Sequence, residues 1–206
     1  MTITSTQLFL YSGALVILFL TPGPVWIAII ARTVSGGIRS GFALVLGVSI
    51  GDLLWPIVVY LGLGVLISIY SDILILIRYI AVLILIIMGI QTIITSRNSI
   101  KVNNELTKSG FFAGFTAGLI AVTANPKATL FYLTLLPSFF DFSDIGSVDL
   151  IVISGTSFAI PMIGNVLMIM FLAKTKSFLS SPKAIVMTNV ISGILLIGVG
   201  VVIGVT

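Results

Sequence analysis

Residues 7–31 read QLFLYSGALVILFLTPGPVWIAIIA, and no charged side chain interrupts them. At about 1.5 Å of rise per residue, a helix of this length crosses an apolar core of ~30 Å. Yet its middle is Thr21-Pro22-Gly23-Pro24. Proline inside a helix removes a hydrogen bond and clashes with the preceding turn. It is tolerated at the first position of a helix, after a cap such as Thr or Asn. The stretch therefore predicts a span that stops inside the membrane and restarts, with Thr21 as N-cap and Pro22 as first residue of the new half-helix.

The rest of the chain has the same solvent in view. Of its 206 residues 58% are apolar and only 8% charged, and the mean hydropathy is +1.29. A soluble domain is about a quarter charged, so this chain lacks the polar surface to cover itself in water. In lipid, backbone groups must bond internally, which leaves helices or closed barrels. Long apolar runs without period-two alternation select helices. The first run has no basic leader and no small-x-small cleavage pattern, so it is expected to be retained. Six spans are expected, near 7–31, 41–68, 73–95, 110–136, 148–172 and 184–204, forming one all-α membrane domain over 1–206. Pro56, Gly62 and Gly64 lie inside the second and predict a tilt or break.

Charge gives the expected orientation. The 32–40, 96–109 and 173–183 loops carry eight of the ten basic residues: Arg32, Arg39, Arg97, Lys101, Lys108, Lys174, Lys176 and Lys183. The opposite loops carry Asp72, Asp141, Asp144 and Asp149, and Arg78 can snorkel from the third span. Lys and Arg are retained on the cytoplasmic side, so both termini are expected outside a plasma or inner membrane. The net charge of +4 is read as topology rather than as nucleic-acid affinity.

Split near residue 104, each half (1–103 and 104–206) has three spans, so the second half enters from the opposite side. Span four contains Asn125-Pro126-Lys127, at a depth matching that of Pro22. Two matched breaks predict a 3+3 inverted repeat, with helices 1 and 4 broken and half-helix N-termini meeting near the midplane. Such termini carry about half a positive charge and unpaired N–H groups, which suits a substrate carboxylate. A plain proline kink is the alternative at either site.

Three polar residues add chemistry. Asp52, in the second span, costs about 2.5–3.5 kcal/mol to insert. It could bind a substrate ammonium, carry a proton or pair with Lys127; a structural ion pair or a wet helix end is the plainer reading. Lys127 opposes the dipole of its own half-helix, so it is read as a carboxylate ligand or a partner of Asp52, with snorkelling as the alternative. Asn165, with Pro161 one turn before it, lines a cavity or bonds between helices; Asn189, nearer an end, is weaker. Gly110-x-x-x-Gly114-x-x-x-Gly118, Gly37-x-x-x-Gly41 and Gly47-x-x-x-Gly51 are small-residue faces expected to pack within the bundle, with a homodimer contact as the lesser reading. Trp26, Trp55, Phe131 and Tyr132 flank the breaks and are expected to pack in the core or shape a pocket.

The segment 21–52, TPGPVWIAIIARTVSGGIRSGFALVLGVSIGD, resembles the first hallmark of the LysE-type (LysE/RhtB) amino-acid exporters. It has Pro22-Gly23-Pro24, Ala31-Arg32, a Gly-rich basic turn and Gly47 to Gly51. ANPKATLFYLTLLPSFF, residues 124–140, resembles the second, Asn-Pro-Lys-Ala before an apolar run. The resemblance covers most of the chain. It implies efflux of amino acids or related metabolites driven by proton-motive force. It also implies functional roles for Pro22, Gly23, Pro24, Asn125, Pro126 and Lys127, and matches Asp52 to an acidic position of such exporters.

Other classes fare worse. No cysteine or histidine is present, which removes disulfides, thiol carriers and soft-metal sites, and no cofactor is expected. No nucleophile–base pair or phosphate loop suggests an enzyme. A channel lined by the breaks, or a structural membrane protein, is the standing alternative.

Overall fold

The computed structural model describes residues 2–69 and 110–174 continuously, with helical positions scattered through 79–94 and 186–201. The expected spans 73–95 and 184–204 therefore fall largely outside the described residues, as do Asp72, Arg78, Arg97, Lys101, Lys108, Lys176, Lys183 and Asn189. Among the described residues the fold is entirely helical.

The first span is two helices: α1 (Ser5–Leu20) and α2 (Pro24–Val34), bent by 58° at the proline-glycine break. An unbroken span follows, α3 (Gly36–Gly62), with Pro56 inside it. The next is bent by 53°, between α4 (Phe111–Thr123) and α5 (Pro126–Phe139). The last of the described spans is α6 (Ser147–Leu172). Each bent pair taken as one span, these are four of the six expected crossings.

The expected 32–40 loop is instead almost wholly helical. Gly37, at the start of α3, carries the non-helical backbone that turns the chain from α2, at φ 74° and ψ −178°. That left-handed φ suits glycine and strains side chains bearing a Cβ. Arg32 is correspondingly a buried helix residue, not a loop residue. Its Nη2 donates to the Gly110 carbonyl at 2.8 Å, just before α4 begins. Here a basic residue that reads as a topology signal also ties two helix ends together.

α3 packs on α4 and α6, and α1 packs on α6. The glycine faces explain the closeness of α3 and α4. A Cβ on Gly118 would overlap the Leu44 carbonyl oxygen, and one on Gly47 would overlap the Phe115 carbonyl oxygen. Small residues that let backbones meet are the membrane substitute for hydrophobic collapse. Gly89 and Gly193 form a similar contact, in which a Cβ on each would lie 2.6 Å from the other's carbonyl oxygen.

One end of the bundle gathers the N-terminus and the acidic segment. Asp149, buried in the first turn of α6, accepts from the backbone N–H of Thr2, Ile3 and Gly146. Thr2 Oγ1 also donates to the Asp144 carbonyl at 3.1 Å. The Gly37 turn follows the bent span α1–α2, and Gly110 precedes the bent span α4–α5.

Candidate functional site

The two breaks have nearly identical geometry. Thr21 has φ −81° and ψ 109°; Asn125 has φ −81° and ψ 107°. Both precede a proline, whose ring pushes the residue before it out of the helical region. Their capping differs from expectation at the first break. Thr21 is the C-cap of α1: its N–H and hydroxyl both donate to the Ile17 carbonyl, the hydroxyl at 2.7 Å. The new helix starts three residues after Thr21, at Pro24, and Gly23 supplies the first accepting carbonyl, to Ile27 N–H at 3.1 Å. The second proline of the Pro-Gly-Pro run thus occupies the first helical position, leaving Pro22 to end α1. At the second break Asn125 is the N-cap, its Oδ1 accepting from Lys127 N–H at 3.2 Å, with Pro126 at the first position.

A cavity of about 480 Å³, counted to its open mouth, lies where the breaks meet. Thr21, Gly23, Asp52, Asn125, Lys127 and Asn165 line it together. Pro22, Pro24 and Pro126 are not in its lining; they shape the backbone around it. Leu15, Leu18, Phe19, Val48 and Val122 supply apolar walls, and Pro161 and Trp26 complete the rim. Its enclosed part is about 50 Å³, and the remainder opens to the outside.

The two charges of the cavity do not neutralise each other. Lys127 crosses to the other break and donates from Nζ to the Pro22 carbonyl at 2.8 Å and to the Thr21 carbonyl at 3.4 Å. These carbonyls sit at the C-terminal end of α1, where the helix dipole is negative. The cation that opposes its own half-helix therefore complements the end of another, a relation invisible in local sequence. Asp52, 4% exposed, instead accepts from the Tyr132 hydroxyl at 3.2 Å. Among the described residues no ion pair joins Asp52 to Lys127. Asn165, 2% exposed, leaves Oδ1 without a hydrogen-bond partner. A buried amide oxygen lining a cavity with no protein donor is an acceptor available to a ligand.

Trp26 braces the first break by donating from Nε1 to the Phe19 carbonyl at 2.6 Å. Tyr132 stacks on Trp55 at 5.9 Å and stands on a π-helical turn, Phe131–Leu135, inside α5. Within that turn the Thr134 hydroxyl donates to the Leu130 carbonyl. Tyr11 and Ser157, fully buried, share a hydroxyl contact of 2.6 Å just beyond Tyr132. Sequence reasoning passed over both. Their only signal was a hydroxyl in the middle of an apolar run.

Apolar helices in multiple passes, two of them broken around a polar internal cavity, define a multi-pass membrane protein of the transporter class. The sequence matches the LysE type translocator family over residues 16–206, and the chain belongs to that family. It is 34% identical over 194 residues to an uncharacterized membrane protein of Synechocystis sp., covering 92% of this chain and 91% of that protein. It is 28% identical over 131 residues to the leucine efflux protein of Salmonella typhimurium, covering 64% of this chain and 62% of the relative. An uncharacterized membrane protein of Bacillus subtilis is 21% identical over 203 residues, 95% of this chain and 97% of its own. No solved structure matches the chain.

Proposed function

We propose that this translocator is a secondary exporter of small zwitterionic amino acids, driven by proton-motive force, with the cavity at the two breaks as its substrate site. The observation that carries this reading is that an acidic and a basic side chain, Asp52 and Lys127, line one cavity without pairing to each other. Asp52 offers a carboxylate to a substrate ammonium or a coupling proton. Lys127, with the N–H groups that start α2 and α5, offers positive charge to a substrate carboxylate. Asn125 and Asn165 add polar contacts, and Thr21, Pro22, Gly23, Pro24 and Pro126 hold the backbone open. Charges this far inside an apolar bundle are costly, and function explains their retention better than stability does.

The apolar walls favour an aliphatic side chain. The leucine efflux relative of Salmonella points to the same substrate class. The matched bends of 58° and 53° support a 3+3 inverted repeat of six spans with a pseudo-two-fold at the cavity. The basic residues between the spans support an orientation with both termini outside a plasma or inner membrane. A homodimer would use glycine faces not consumed by α3–α4 packing.

The test is efflux from cells loaded with a panel of dipeptides that release single amino acids. The reading expects efflux of at least one aliphatic amino acid that saturates with internal concentration and collapses when a protonophore dissipates the gradient. Unsaturated ohmic current through the purified protein would instead establish a channel. Efflux that ignores the protonophore would remove the coupling.

A further inference from the structure

Four buried hydroxyl and carboxyl groups form a line away from the cavity, and none of them beyond Asp52 is needed to bind a substrate. The Tyr132 hydroxyl donates to Asp52 Oδ1 at 3.2 Å. Ser157, on α6, lies beside that same hydroxyl. Ser157 Oγ is 2.6 Å from the Tyr11 hydroxyl on α1, and donates to the Ile153 carbonyl at 2.8 Å. All but Asp52, at 4%, are 0% exposed.

Counting protons fixes the directions. A serine hydroxyl has one hydrogen and two acceptor positions. Ser157 spends its hydrogen on Ile153, so Tyr11 must be the donor in their contact. One acceptor position on Ser157 remains, beside Tyr132. Tyr132 also has one hydrogen, and it is given to Asp52. Two acceptors therefore compete for a single proton. An ionised Asp52 wins it, because a hydrogen bond to a charged group is about twice as strong as a neutral one. A proton or a substrate ammonium on Asp52 weakens that claim and leaves Ser157 as the alternative.

The backbone around both acceptors is built alike. Asp52 stands four residues before Pro56, and Ser157 four residues before Pro161. Each proline lies inside its helix and deprives the carbonyl one turn earlier of its N–H, loosening the helix there. Asp52 follows Pro22 by 30 residues; Ser157 follows Pro126 by 31. The two acceptors thus stand at similar distances from the two breaks, each one turn before a helix proline. Tyr132 reaches between them from a π-helical turn, a device often found at functional sites.

We propose that Tyr132 is a coupling residue: its hydroxyl transfers its hydrogen bond from Asp52 to Ser157 when Asp52 is loaded, and so signals the load to the α1–α6 seam held by Tyr11 and Ser157. This rests on the exporter reading above. The titratable groups facing Tyr132 are Asp52 from α3 and Tyr11 from α1; Lys127 shares the cavity with Asp52. Without the signal the seam would change state whether or not Asp52 is loaded. Exchange and downhill flux would persist, and uphill transport would leak away.

The experiment uses the full chain in proteoliposomes, with a panel of the twenty radiolabelled amino acids. Wild type identifies which of them exchange across the membrane and which accumulate under an imposed pH gradient. Tyr132→Phe and Ser157→Ala should keep exchange of that amino acid within about twofold. Their gradient-driven accumulation should fall roughly tenfold, the scale on which losing one charge-assisted hydrogen bond shifts a two-state equilibrium. The double variant should be no worse than either single one, since both cut the same link. Accumulation retained in either variant, exchange and accumulation lost together, or additive losses would each overturn the proposal. Wild type that moves none of the panel would overturn the exporter reading itself and the coupling with it.

Discussion

Lys127 has its partners 105 and 106 residues away, on Pro22 and Thr21. Its removal should be felt at the other break. Lys127→Met keeps most of the stem but leaves two helix-end carbonyls without a donor in a partly buried place. The expected loss is about 1–3 kcal/mol, measured as a lower midpoint of thermal unfolding in detergent. An unchanged midpoint would mean the contact is energetically idle. At this scale the sequence was legible where an isolated charge stood in an apolar run, as at Asp52 and Lys127. It was not legible where meaning depends on a distant partner. Nothing near Lys127 predicts the carbonyls it binds, and nothing near Thr21 shows that it closes α1 rather than opening α2. The Pro-Gly-Pro run offers two prolines for one helical start, and packing chooses the second.

Among the elements, the glycine faces make the sharpest claim. Gly118 lies against the backbone of α3, so Gly118→Ala must separate α3 from α4. Overpacking of this kind costs about 1–3 kcal/mol, and thermal unfolding should register it. Gly155, on α6, has open space where its Cβ would be. Gly155→Ala should be neutral or stabilise by roughly 0.5–1 kcal/mol, the usual helix preference for alanine. Equal effects of the two substitutions would contradict the packing described. The breaks, the spans at 7–31 and 110–136 and the packing of Gly41, Gly47, Gly51, Gly114 and Gly118 follow from covalent rules about proline and glycine, which is why they could be read in advance; Gly37 and Gly110, read as parts of the same faces, instead have open space where a Cβ would be. The 32–40 connection could not be read in advance. Its Gly36-Gly37 pair and its charges read as a loop, whereas one glycine in a left-handed conformation makes the turn and buries Arg32.

For the whole molecule, Thr2 meets Asp144 and Asp149 at one end, while Arg32 meets Gly110 at the other. The chain has no cysteine, so single cysteines report sidedness without background. With both termini outside, Ser143→Cys should react with a membrane-impermeant maleimide added to intact cells, and Arg39→Cys only after permeabilisation. The reverse pattern would invert the orientation. Composition alone fixed the solvent of this molecule, and its matched breaks pointed to two related halves. The cavity needed the third dimension, because its lining comes from six helices and no short stretch of sequence contains it.

The claim on which these scales converge is that this cavity carries the substrate. The most direct measurement is export of an aliphatic amino acid from dipeptide-loaded cells, comparing wild type with Asp52→Asn at equal membrane abundance. Asparagine preserves size and an oxygen for Tyr132 but removes the charge. Export at background level is expected in the variant, with correct insertion. Export at the wild-type rate would place the transport site elsewhere in the molecule.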